Sequence, residues 1–223
     1  MGRTVTEWHA EILSAAQRVT LSDVAVVLTA RNFYLAGGTA LALIFGHRRS
    51  VDLDWFTEAP LDDPLALAAD IADAGIAASV TTTARNTLYL DVRGVRVSAM
   101  RYRYPLLRPV VHLDEFSCDL ASVEDIACMK LSAIVGRAEK KDYVDLATIA
   151  AHGYDLGALL GMYQNKFGVD SVMPPLQALS YFDDADRNVS DIPALNKPGT
   201  WQKTKRTLRQ WVRSLPRDLN LER

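Results

Sequence analysis

Two adjacent glycines, Gly37 and Gly38, limit what this chain is able to build. They separate a short apolar run, Phe33-Tyr34-Leu35-Ala36, from a stretch of good helix formers, Thr39 to Phe45. The first run reads as a buried strand, the second as a helix that starts directly after the glycines. Glycines at such a junction let the backbone come close to a ligand, and the helix start offers N–H groups to a phosphate. Thr39 adds a hydroxyl at the same place. Beyond Thr39, after twelve intervening residues, comes Asp52-Leu53-Asp54, inside a segment, Val51 to Phe56, that alternates apolar and acidic residues. On a strand, residues two apart share a face, so both carboxylates project together. Two acids side by side are costly unless a cation lies between them. Mg²⁺ held by one or two carboxylates and by substrate phosphates is the usual arrangement for phosphoryl and nucleotidyl transfer. Taken singly, a Gly-Gly-Thr is often only a turn and an Asp-x-Asp often only a solvated strand face. In this order, on strand, turn, helix and strand, they point to a nucleotide site.

Around this centre the remaining elements are legible in outline. An amphipathic helix is expected from Met1 to Arg18 on the spacing of Trp8, Ile12, Leu13 and Ala16, and a second short one from Ser22 to Thr29. Pro64 to Ala74 reads as a helix opened by proline. Three strands follow, Ile76 to Thr83, Thr87 to Val92 and Val95 to Met100, the last two joined by an Arg93-Gly94 hairpin turn. From Ser122 the apolar spacing is helical throughout. Asp125, three residues after Ser122, suggests a capping-box start, and further helices are expected at Lys141–Ala151, Asp155–Phe167, Pro175–Phe182 and Trp201–Ser214. Asp183 to Thr200 is rich in Asp, Asn, Pro and Gly and reads as a loop. The expected fold class is α/β (α+β): a mixed sheet flanked by helices over residues 1–115, then a helical domain over 116–223, with the nucleotide in the cleft between them.

Composition excludes several alternatives. With 223 residues, 49% of them hydrophobic and 23% charged, the chain lies outside the disordered range and buries roughly 70% of its unfolded surface. A net charge of −2 excludes a uniformly basic nucleic-acid coat protein but not a local basic patch. Cys118 and Cys128 are too few for a disulfide framework and lack zinc-site partners, so they read as buried thiols of a reducing cytosol. No run is long enough to span a bilayer. A cytoplasmic protein is expected.

The stretch Gly37-Gly38-Thr39-Ala40-Leu41-Ala42-Leu43, then Gly46-His47-Arg48-Arg49-Ser50-Val51-Asp52-Leu53-Asp54-Trp55-Phe56, resembles the signature of the AbiEii/AbiGii-type nucleotidyltransferase toxins, within the polymerase-β-like nucleotidyltransferase superfamily. The resemblance continues in Asp125-Ile126-Ala127-Cys128-Met129-Lys130 and in Arg137 to Leu146, and covers about Phe33 to Trp201. It implies a nucleotidyltransferase fold with NTP as substrate and Mg²⁺ (or Mn²⁺) as cofactor. It further implies an acceptor that is RNA, such as tRNA, and a toxin role beside a cognate antitoxin or in phage defence. The site it implies has Asp52 and Asp54 as metal ligands and catalytic residues together with Lys130. Gly37, Gly38, Thr39, Arg48, Ser50, Lys130, Asp142 and Asp145 would bind nucleotide. A catalytically degenerate binding module on the same fold is the alternative function.

The residues carry their own arguments beside the resemblance. Lys130 lies on one helical face with Ile126, Ala127, Ala133 and Ile134. A lysine centred on an apolar stripe needs a partner or a route to a ligand. Asp142 and Asp145, three apart on the next helix, supply either an ion pair that locks two helices or an orienting pair for a phosphate-binding lysine. Arg48 and Arg49 either hold triphosphate oxygens or balance Asp52 and Asp54; His47 reads as a hydrogen-bonded surface residue. The superfamily's third carboxylate is expected on the Val95–Met100 strand, but Ser98 stands there. Asp91 is expected to face Arg96 across the hairpin and to pair with it rather than replace the missing acid. Arg101-Tyr102-Arg103-Tyr104 reads as a strand end with its aromatics packed inward. From Lys197 to Arg223 eight basic residues face two acidic ones, a balance of +6 that leaves −8 for the rest. That helix is suited to follow an RNA backbone or to dock on an acidic partner, or is a solvated face.

Overall fold

The computed structural model describes residues 7–187 and 200–216. The chain divides into two compact units, Met1–Ser122 and Val123–Arg223.

The first unit contains α1 (Ala15–Ala30), β1 (Tyr34–Ala36), α2 (Gly37–Phe45), β2 (Leu53–Thr57), α3 (Pro64–Asp73), β3 (Ser79–Ala84), β4 (Thr87–Val92), β5 (Val95–Arg101), β6 (Val111–Leu113) and β7 (Cys118–Leu120). Among the described residues the strands form one seven-stranded mixed sheet in the order β3-β4-β5-β2-β1-β7-β6. The expected helix up to Arg18 and the short one after Ser22 are replaced by a single helix. Ser14 caps α1 and exchanges hydrogen bonds with Gln17, and Gln17, Leu21, Val24 and Leu28 carry one buried stripe through the supposed break. Residues 1–6 of the expected first helix lie outside the described residues, and Ala10–Ile12 is a 3₁₀ turn.

One face of the sheet is apolar and closed. Leu53 pairs with Val97 and Trp55 with Ala99, Leu88 with Ala99 and Leu90 with Val97, and all are buried. The other face carries the row Ala36, Asp54, Ser98 and Tyr89, in register across β1, β2, β5 and β4. β6 and β7 have no counterpart in the sequence reading, because three residues are too few to show alternation. β7 runs parallel to β1, Leu120 beside Leu35, so the sheet continues past residue 115 and the first unit ends at Ser122. A turn with Ser117 at φ 48° joins the two strands. The expected aromatics of residues 102 and 104 come after β5: Tyr102 meets Phe56 edge-on at 5.6 Å, while Arg101 and Arg103 are exposed.

The second unit is helical: α4 (Val123–Gly136), α5 (Lys140–Ala151), α6 (Leu156–Phe167), α7 (Met173–Ser180), α8 (Asp183–Arg187) and α9 (Thr200–Arg213). The expected loop from Asp183 therefore starts with a helical turn; its residues 188–199 lie outside the described residues. A cluster of Tyr143, Phe182 and Trp201, with ring centroids 5.6–5.9 Å apart, ties α5, α9 and the segment between α7 and α8 together. Among the described residues no helix is long and apolar enough to cross a membrane. Cys118 and Cys128 are both free and buried; burial, with a nearby acid, pushes each thiol up to about 12, so neither is poised to react.

Candidate functional site

The strand–glycine–helix junction of β1 and α2 sits against the start of β2. Gly37 has φ +69°, a conformation open to glycine at little steric cost, and a Cβ there would lie 3.2 Å from Asp54 Oδ2. A Cβ on Gly38 would collide with the Arg48 guanidinium and come within 3.1 Å of Ser50 Oγ. The two glycines thus let Asp54, Arg48 and Ser50 pack directly against the main chain at the start of α2, where any side chain would crowd them. Arg48 is 8% exposed and donates to the Arg49 carbonyl at 3.1 Å. Gln17 holds the Ser50 carbonyl at 2.7 Å. Thr39 is buried and gives its hydroxyl proton to the Asp52 carbonyl, so it fixes the main chain that carries the first acid.

Asp52 immediately precedes β2 and Asp54 lies within it. Asp54 Oδ1 accepts a 2.6 Å hydrogen bond from Ser98 Oγ. At the position expected for a third acid, serine thus serves as a donor to the second. Asp52 Oδ1 lies 2.7 Å from Arg96 Nε yet is buried without an aligned hydrogen bond. This corrects the expected pairing of Asp91 with Arg96. The two are register partners, but β2 lies parallel to β5 on its other edge and brings Asp52 level with Arg96. The Arg96 guanidinium goes to Asp52, while Asp91 accepts from the Gly94 N–H at 2.9 Å and closes the hairpin.

A divalent ion fits this donor set in a limited way. Two carboxylates share one sheet end, one with a buried oxygen lacking a hydrogen bond, beside the two glycines at the start of α2. Among the described residues no group of three or more His, Cys, Asp or Glu side chains is arranged to hold a metal. The remaining ligands would therefore come from substrate phosphates and water, as is usual for Mg²⁺.

Lys130, Asp142 and Asp145 form a cluster of their own inside the second unit. Lys130 Nζ lies 2.6 Å from Asp142 Oδ1 and 2.8 Å from Asp145 Oδ2, with all three side chains at most 6% exposed. Arg137 adds two bonds to Asp142, at 2.8 and 3.0 Å. Burial pulls the Lys130 ammonium down, but Asp145 and then Asp142 outweigh it and hold it above its ordinary value. Burial likewise raises Asp142, and Lys130 with Arg137 reverses this and holds it low. The ion-pair alternative is thus realised. Arg137 received no role from the sequence, although its place five residues before Asp142 was the available signal. Asp125 was read as a cap; it is fully buried and accepts from the equally buried Lys166 at 2.7 Å. A cavity of about 630 Å³ lies beside this network, lined by Ile134, Arg137, Tyr143, Gln177 and Tyr181 among others.

Comparisons with known proteins agree on the fold. An uncharacterized protein of Aquifex aeolicus (strain VF5) is 36% identical over 180 residues, covering 79% of this chain and 86% of its own. MenT4, a nucleotidyltransferase toxin from Mycobacterium tuberculosis, superposes with a TM-score of 0.54 at 18% identity, over 94% of this chain and 89% of its own. The antibiotic-resistance factor ANT(2'')-Ia gives 0.53 at 11% identity, over 70% and 95%. JHP933 from Helicobacter pylori gives 0.51 at 14% identity, over 93% and 94%. At these identities the solved structures establish the nucleotidyltransferase fold alone. Residues 20–118 and 105–214 match the family described as "Nucleotidyl transferase AbiEii toxin, Type IV TA system"; the chain, most of which is covered, belongs to that family.

Proposed function

We propose that the chain transfers a nucleotidyl group from an NTP to an RNA acceptor, using Mg²⁺ or Mn²⁺ at Asp52 and Asp54. The observation that carries this reading is the strand–glycine–helix junction set against the carboxylates: Gly37 packs on Asp54, and Gly38 on Arg48 and Ser50. A triphosphate docked at this junction would meet the Arg48 guanidinium, the Ser50 hydroxyl and the N-terminal end of α2 together. When bound, the ion supplies charge neutralisation at the phosphates. Asp52 and Asp54 would hold it, and the Arg96 side chain, which pairs with Asp52 and is 71% exposed, has room to move aside. Ser98 keeps the Asp54 carboxylate aimed. Lys130, Asp142 and Asp145, buried together in the second unit, lock α4 to α5 in this reading. The cellular reading follows the family: a toxin acting in the cytoplasm, restrained by an antitoxin or deployed in phage defence.

A second reading has an observation of its own. Ser98 replaces the third acid, which suits a binding module that retains nucleotide without turnover. Purified protein mixed with each of the four α-labelled NTPs, Mg²⁺ and total RNA decides between them. Label on RNA, lost with chelator and in Asp54→Asn, supports transfer; NTP binding without label on any RNA supports the module.

A further inference from the structure

We infer that the outward face of α9 is a docking surface for the phosphate backbone of an RNA strand. The inference rests on the reading that the acceptor is RNA. α9 buries Thr204, Leu208 and Trp211, and Trp211 Nε1 donates to the Tyr154 carbonyl at 2.9 Å. At about 100° per residue, Gln202, Arg206, Arg209, Gln210 and Arg213 fall on the opposite side. They line a groove of about 480 Å³ along the helix, and all five are exposed.

Three features make this face more than a solvated one. Residues 200–216 hold five basic residues and no acidic one. Of these, Lys205 alone is engaged by an acid, Asp186 at 3.1 Å, so the arginines have no acidic partner among the described residues. Arg209 lies over the Phe182 ring at 5.1 Å, which holds its stem in place and lowers the cost of ordering it. The ridge from Gln202 to Arg213 is about 16 Å long, enough to meet successive phosphates of one strand with its three arginines.

The chemistry of the face selects the partner. A protein interface needs a central apolar or aromatic anchor, and this stripe contains only guanidinium and amide groups. Guanidinium forks with amides between them match phosphate oxygens, which position a nucleic acid without reading its sequence.

The test is RNA binding by the full chain, measured by fluorescence anisotropy across a salt series with a labelled mixed-sequence RNA. Each lost phosphate contact lowers the salt slope by about 0.7. R206Q/R209Q/R213Q should lower it by about 2 and weaken binding about 50-fold at ~0.15 M salt. R206Q/R213Q leaves Arg209 on Phe182 and guards against misfolding; it should weaken binding about 15-fold, with an unchanged circular dichroism spectrum. Wild-type RNA affinity in both variants overturns the proposal, as does absence of RNA binding by the wild type. Poly-glutamate competing as well as RNA of equal charge also overturns it, in favour of an acidic protein partner. Transfer is scored separately. RNA bound through α9 but never labelled leaves this proposal standing and removes the transferase reading. RNA labelled with an unchanged KM in both variants does the reverse.

Discussion

Replacing Lys130 by methionine removes one charge from a cluster where charges have few alternatives. The Lys130 side chain is 6% exposed and those of Asp142 and Asp145 are fully buried. Arg137 remains to compensate Asp142, but Asp145 loses the cation at 2.8 Å. Methionine keeps most of the stem volume, so the loss reports charge rather than a cavity. Removing one partner of a buried pair costs about 3–5 kcal/mol. For a chain of this size that lowers Tm by roughly 6–20 °C, at about 2–4 °C per kcal/mol. Urea unfolding followed by tryptophan fluorescence reads both units, through Trp8 and Trp55 in the first and Trp201 and Trp211 in the second. Removing the opposing charge as well, in Lys130→Met/Asp145→Leu, should restore part of the loss, because the two sites are coupled. A single variant within about 1 kcal/mol of wild type would show that the cluster does not hold α4 to α5. If such a variant had also lost NTP binding, Lys130 would be a ligand-binding residue alone.

The same cluster sets a pH window. Asp142 is held below its ordinary 3.8, so its contribution is present above that value and lost as pH falls through the folded one. Lys130 is held above 10.5, so its contribution is present below that value and lost as pH rises through the folded one; urea midpoints of the second unit should be flat between and fall outside. Gly37→Ala should cost about 1–2 kcal/mol from its left-handed backbone and weaken NTP binding by crowding Asp54, measurable by calorimetry. Ser98→Asp places a third carboxylate beside Asp54, so Tm should drop without metal and recover on adding Mg²⁺; a Tm indifferent to Mg²⁺ in this variant would argue against an ion at the carboxylates.

What the sequence made legible follows element length and locality. The junction at Gly37-Gly38, the hairpin at Arg93-Gly94 and the helices α4 to α7 all announce themselves through neighbouring residues. The family resemblance likewise rested on contiguous runs. By contrast, Arg96 found Asp52 and not Asp91 because β2 and β5 pair in parallel across more than forty residues, a register that local alternation does not encode. β6 and β7 were too short to be seen. α1 is a single helix because the buried stripe from Gln17 through Leu21 and Val24 to Leu28 continues past Val19 and Thr20. At the carboxylates the residue types were readable, yet the buried, unbonded oxygen of Asp52 and the donation by Ser98 depend on three strands meeting. The Lys166–Asp125 pair spans forty-one positions and offered no local signal.

The most direct test compares initial rates of label transfer from an NTP to RNA for wild type, Asp54→Asn and Asp91→Asn, each shown to be folded by circular dichroism. Asp54 packs against Gly37 at the start of α2, whereas Asp91 closes a turn. Asp54→Asn should therefore lower turnover by a factor on the order of a hundred or more, and Asp91→Asn should retain most of it. Equal damage from the two substitutions, or activity surviving in Asp54→Asn, would contradict a reaction centred on the Asp52–Asp54 carboxylates.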